Sequence, residues 1–140
     1  MRFPPRVVLL VVLAAATNLA AAPVDQADPY AVQLGKLIND YRAQHHLQPL
    51  ASAPALSELA QEHAAHMARE DRLSHDGFQQ RFANAHSPSC VENVGSYGTP
   101  GAEFEAWRNS PMHERNLLDS RITRMGIAIE GRYVTFFACQ

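Results

Sequence analysis

The sequence predicts an α+β domain, helices first and strands last. Three observations carry that prediction. Between Pro29 and about Asp71 the apolar residues recur at helical spacing. From Arg124 onward the period changes, and "RMGIAIE" and "RYVTFFACQ" read as an antiparallel hairpin turning at Gly131. Between these regions short helical stretches alternate with turns, so helices and strands must pack as layers. The chain has 140 residues, enough for one domain with a real core.

The N-terminus reads as a secretory signal peptide over residues 1–22. Arg2 and Arg6 precede the apolar run "VVLLVVLAAA" from Val7 to Ala16, and small residues continue to Ala22. That run is short for a membrane span, and nothing later could cross a bilayer. No transmembrane segment is therefore expected in the mature chain. No cysteine lies near the cleavage region, which argues against a lipid anchor. Residues 23–28 form a short polar leader.

Asp28 and Pro29 then open a helix reaching about His45, with Leu34, Leu37, Ile38, Tyr41 and His45 as its apolar stripe. "LQPL" at 47–50 turns the chain. A second helix runs from near Pro54 to about Asp71, with a stripe of Leu56, Leu59, Ala60, His63 and Met67. "SHDGF" at 74–78 is a turn, and a short helix is expected over Gln79–Ala85. "CVENVGSYG" at 90–98 reads as an extended segment ending at glycines. Ala102–Trp107 suggests one or two helical turns. Ser110 and Pro111 read as the cap and first position of a further helix.

Removing residues 1–22 leaves 10 of the 12 basic residues against all 14 acidic ones, a mature charge of −4. That excludes a dominant nucleic-acid or anionic-membrane footprint. Cys90 and Cys139 both lie in the exported part. An even pair in an oxidising compartment reads as one disulfide, closing a long loop and contributing roughly 4 kcal/mol. A thiol nucleophile is the weaker reading, since a paired cysteine has no thiolate to offer.

Of the seven histidines, His63 reads as a packed core residue, and His45, His46 and His86 as polar or solvated positions. "EHAAH" at 62–66 puts His63 and His66 one turn apart. Its glutamate precedes the first histidine, so it is neither HExxH nor HxxEH. His75, Glu92 and His113 remain, each at the boundary of an element, where scaffolds place functional groups. Two imidazoles and a carboxylate suit a zinc-type site with an open position, or a general acid–base pair. They equally suit local capping. At the third position of its helix, His113 faces the positive end of the dipole, which favours the neutral ring. Ser110 is expected to cap the backbone and leave His113 free.

Around these residues the sequence resembles the CAP superfamily: cysteine-rich secretory proteins, antigen 5 and pathogenesis-related proteins, here in compact bacterial form. "LINDYRAQHHLQPL" resembles the Asn-x-x-Arg first helix and Leu-x-Pro-Leu turn of that family. "LSELAQEHAAHMAREDRLSHDGF" is similar to its second helix ending in Ser-His, and "VENVGSY" to its Glu-Asn strand. "AWRNSPMHERNLLDSRITRMGIAI" resembles its Trp-x-x-Ser-Pro-x-His-x-x-Asn-Leu-Leu block and following strand. The resemblance implies one CAP (SCP) domain over residues 29–140, folded as a three-layer α-β-α sandwich around a small antiparallel sheet. It implies that His75 and His113 converge as ligands of zinc or another divalent cation, with Glu92 as the adjacent cleft carboxylate. Ser110 stands where longer relatives carry a second cleft glutamate, and His46 where the family often has glycine before its turn. A left-handed cap costs histidine more than glycine.

The function expected on this basis is that of a secreted or periplasmic, extracytoplasmic binding module without enzymatic activity. It would be a monomer taking a small ligand, lipid, glycan or protein partner and no nucleic acid. The alternative is a metal- or histidine-dependent hydrolase of peptidase type.

Overall fold

The structure, a computed structural model, describes residues 28–140; the signal peptide expected over residues 1–22 lies outside the described residues. Helix α1 spans Pro29–Gln44, opened by Asp28, whose Oδ1 accepts the Tyr30 N–H at 2.7 Å. Leu34 and Ile38 bury the stripe as expected, but its last buried member is Arg42 rather than His45. The helix ends in a Schellman turn: Leu47 N–H reaches the Arg42 carbonyl and His46 N–H that of Ala43. This forces His46 to φ 59°.

Strand β1, Ala51–Ser52, is an element the sequence did not announce. It pairs in parallel with the start of β3. Helix α2 spans Pro54–Glu70 and buries all five predicted stripe residues. Helix α3 spans Phe78–Asn84, β2 Cys90–Gly95, α4 Pro100–Arg108 and α5 Pro111–Leu117. Helix α4 is longer than expected, because Thr99 caps it from outside the apolar run, its Oγ1 accepting from Ala102 N–H at 3.2 Å. Strands β3, Arg124–Glu130, and β4, Tyr133–Cys139, form the predicted hairpin around Gly131 at φ 58°.

The sheet order is β1-β3-β4-β2. The expected small antiparallel sheet is thus mixed: β3, β4 and β2 are antiparallel, and β1 adds a parallel edge. The domain is α+β in three layers. Leu34 and Ile38 of α1, Phe104 and Trp107 of α4 and Leu117 of α5 pack with Val134, Phe136 and Ala138 on one face. Leu56, Leu59, Ala60 and Ala64 of α2 pack with Phe137 and Cys139 on the other, where Phe78 of α3 also sits. Every residue of β4 is buried, as a central strand between two helical layers requires. Helix α2 approaches β3 closely enough that a Cβ on Gly126 would lie 2.1 Å from the Leu56 backbone, so only glycine fits there. Strand β2 is left as the other edge, with its successive side chains facing opposite layers.

Candidate functional site

The candidate site is assembled around the β2 edge. Glu92 projects to the α2–α3 side and is 5 % exposed. Its Oε1 accepts from His75 Nδ1 at 2.8 Å, from the loop between α2 and α3. Arg81 on α3 clamps it further: Nε donates to Oε2 and Nη2 to Oε1, both at 2.8 Å. His63 Nε2 lies 3.8 Å from the same oxygen and bonds the Ser74 carbonyl at 2.6 Å, which ties the His75 loop to α2. Burial alone would raise the Glu92 carboxyl. The bonds from His75 and Arg81, with the Arg81 charge, outweigh it and hold the group below the usual carboxylate range. Burial also pushes the His63 imidazole down.

Asn93, next along the strand, faces the other layer and anchors α5. Its Nδ2 donates to the His113 carbonyl at 3.1 Å. Asn116 Nδ2 donates to the Glu92 carbonyl at 3.1 Å and to Asn93 Oδ1 at 2.8 Å. One turn of α5 is thereby fixed against the strand that carries Glu92. Burial lowers the pKa of His113, and the neighbouring His75 lowers it further. The side chain of His75 is 53 % exposed.

Ser110 corrects an expectation. Its side chain makes no backbone cap bond; its Oγ instead lies 2.9 Å from His113 Nδ1. Pro111 has no N–H, and the Ser110 carbonyl already accepts from Glu114 N–H at 2.8 Å, so the helix starts without the hydroxyl.

The sequence reading passed over Arg81, Asn93 and Asn116. Arg81 had a usable signal. Phe78, Arg81, Phe82 and Ala85 fall at helical spacing, and an arginine inside an apolar stripe must find a buried partner. Asn93 and Asn116 sit inside the quoted motifs, beside Glu92 and three residues after His113. Among the described residues no group of three or more His, Cys, Asp or Glu could hold a metal ion, and no helix is long and apolar enough to cross a membrane. The expected Cys90–Cys139 disulfide is present.

Comparison with known proteins agrees with this architecture. An extracellular SCP-domain protein from Bacillus anthracis superposes with a TM-score of 0.75 at 24 % identity, over 79 % of this chain and 40 % of its own. A cysteine-rich secretory protein from Staphylococcus aureus gives 0.73 at 22 % identity, over 84 % of this chain and 40 % of its own. An outer surface protein from Borrelia burgdorferi gives 0.68 at 19 % identity, over 76 % and 89 %. The chain thus spans 40 % of the length of the first two, and at these identities the likeness is one of fold. No curated protein matches the sequence. The model of the cysteine-rich secretory protein family, CAP, matches residues 36–140. With that match over most of the chain and the α-β-α layering around its Glu-Asn strand, the protein belongs to the CAP family.

Proposed function

We propose that this chain is an exported binding module whose cleft holds one divalent cation, zinc foremost, between His75 and His113. The observation that carries the reading is the His75–Glu92 pair. The Nδ1–H of a neutral imidazole donated to a buried carboxylate leaves the Nε2 lone pair free, the arrangement in which metal-binding histidines are usually held. Both Glu92 oxygens are already engaged by His75 and Arg81, so Glu92 orients the ring rather than ligating the ion. Two protein nitrogens hold zinc weakly, with solvent or a ligand donor completing the shell. When bound, the ion supplies a positive charge and open positions for an anionic or carbonyl-bearing ligand.

The same clamp argues for binding over turnover. A carboxylate held below its usual range by a buried guanidinium is a poor proton acceptor. One observation favours hydrolysis instead: Ser110 Oγ at 2.9 Å from His113 Nδ1, a hydroxyl beside an imidazole. Export is supported by the signal peptide expected over residues 1–22, by the disulfide and by the similar structures, which are extracellular, secretory or outer-surface proteins. The proposed form is a secreted or periplasmic protein, taken as a monomer.

Calorimetric zinc titration of the exported protein tests the reading. Wild type should bind one ion; His75→Ala and His113→Ala should each abolish binding, while His63→Ala should mainly lower Tm. Peptide hydrolysis that needs His113 would replace the binding module with the hydrolase. N-terminal sequencing that finds Met1 on exported material would overturn cleavage of the signal peptide.

A further inference from the structure

We infer that Ser110 is a positioning residue for His113: its hydroxyl accepts the Nδ1–H of the ring and keeps the lone pair on Nε2. The inference rests on the cation-site reading and assigns a role to a residue that the sequence treats as a helix cap.

Four observations converge on it. Ser110 Oγ lies 2.9 Å from His113 Nδ1. Its side chain makes no cap bond to the helix backbone, so the hydroxyl is committed to the ring. The backbone of His113 is fixed separately, through its carbonyl, by Asn93 Nδ2 at 3.1 Å. Main chain and ring are thus held by independent contacts, which leaves the imidazole little freedom to turn. Finally, the two histidines are treated alike. His75 is anchored through Nδ1 by Glu92, and His113 through Nδ1 by Ser110.

A hydroxyl can accept or donate, so the direction of the bond has to be argued. If Ser110 donates, His113 carries its proton on Nε2. If Ser110 accepts, Nε2 carries the lone pair. Nε2 is not among the buried unpartnered atoms, so solvent can meet it in either tautomer, and the choice rests on the match to His75, which is anchored through the same ring nitrogen. The accepting arrangement also gives both rings the same free nitrogen, the one a shared cation needs. The donating arrangement would make Ser110 the hydroxyl partner of a base, which is the hydrolase geometry. The tautomer of His113 therefore separates the two readings of the cleft.

The experiment uses the exported protein, 15N-labelled and free of metal. Long-range 1H–15N correlation spectra assign the tautomer of each imidazole. His113 should be the Nδ1–H form in wild type, a mixture in Ser110→Ala, and again the Nδ1–H form in Ser110→Thr, which keeps the hydroxyl. Zinc titration should show Ser110→Ala weakened by about 10–100-fold, the usual effect of losing a partner behind a metal ligand. Ser110→Thr should bind close to wild type, and the Tm of Ser110→Ala should not fall, as it would if the serine were a cap. An Nε2–H tautomer in wild type overturns the inference, as does Ser110→Ala binding zinc as tightly as wild type. Wild-type protein with the Nδ1–H tautomer that takes up no zinc overturns the cation reading and leaves the role of Ser110 standing. If Ser110→Ala fails to fold, the wild-type and Ser110→Thr spectra still decide the tautomer.

Discussion

Two buried acids show how much a single residue depends on its partner. Glu92 is stable as a charge because Arg81 meets both of its oxygens. Replacing Arg81 with Met strands that charge, and a broken buried pair costs about 3–5 kcal/mol. Urea denaturation should show this loss, and the double variant Arg81→Met/Glu92→Gln should recover much of it, since it strands no charge. Glu103 is the contrasting case. It is fully buried on α4 against Gly95, where a Cβ would fall 1.5 Å from its Oε1. Its Oε2 accepts Tyr97 N–H at 2.9 Å, while Oε1 and the nearby Tyr30 hydroxyl have no hydrogen-bond partner among the described residues. No cation meets it. Burial therefore raises its pKa, and burial with the Glu103 charge pushes the Tyr30 phenol up to about 12. In the unfolded chain the carboxyl ionises near 4.5; in the folded chain it ionises only at higher pH. The folded state holds the proton more tightly, so this contribution to stability is full below 4.5 and is lost as pH rises through the raised value. Chemical denaturation from pH 4 to 8 should show that decline in wild type and a flatter profile in Glu103→Gln. Identical slopes in the two proteins would place the raised pKa elsewhere.

At the scale of elements, turn chemistry decides where the helices stop. His46 occupies a left-handed position that closes the Schellman turn of α1. A left-handed residue with a Cβ is strained by roughly 1–2 kcal/mol, and glycine gives part of that back as unfolded-state entropy. His46→Gly should therefore stabilise the domain by about 0.5–1 kcal/mol, read as a higher urea midpoint with unchanged slope. The departure from glycine at this position was legible in the sequence, and so were the helices and the terminal hairpin, because hydrophobic period and cap residues are local signals. The Asn-x-x-Arg motif was legible only as a mark of family. Its physical work is to hold the turn: Asn39 exchanges bonds of 3.0 and 2.8 Å with the Leu50 backbone, and Arg42 bonds the carbonyls of Gln48, Leu117 and Asp119. Strand β1 was not legible. Two residues carry no period, and they become a strand only because Thr123 and Met125 offer carbonyls to Ala51 and Ala53 across the sheet.

For the whole molecule, the sheet order puts the candidate site at an edge. Strand β2 has β4 on one side only, and the side chains of α3 and α5 close over it from the two layers. Residue types at His75, Glu92 and His113 pointed to this place, but the partner of each depends on packing between layers that no local pattern encodes. Arg81 reaches Glu92 from another element, and Ser110 turns from the backbone to a ring. The Cys90–Cys139 disulfide bears on how firmly this edge is held. It joins residues that face each other in the β2–β4 register, 49 positions apart in sequence, with Cα atoms 4.1 Å apart. Six paired positions already hold β2 against β4, so the bond is not what keeps Glu92 in place. Its effect is on the unfolded chain, where it removes the entropy of an open loop, about 2–4 kcal/mol. The double variant Cys90→Ala/Cys139→Ala should therefore lose that much stability and several degrees of Tm. At 25 °C it should keep the wild-type signals of the His75 and His113 rings. A variant that retains its stability but shifts both histidine signals would reverse this assignment and make the disulfide a local clamp on the cleft.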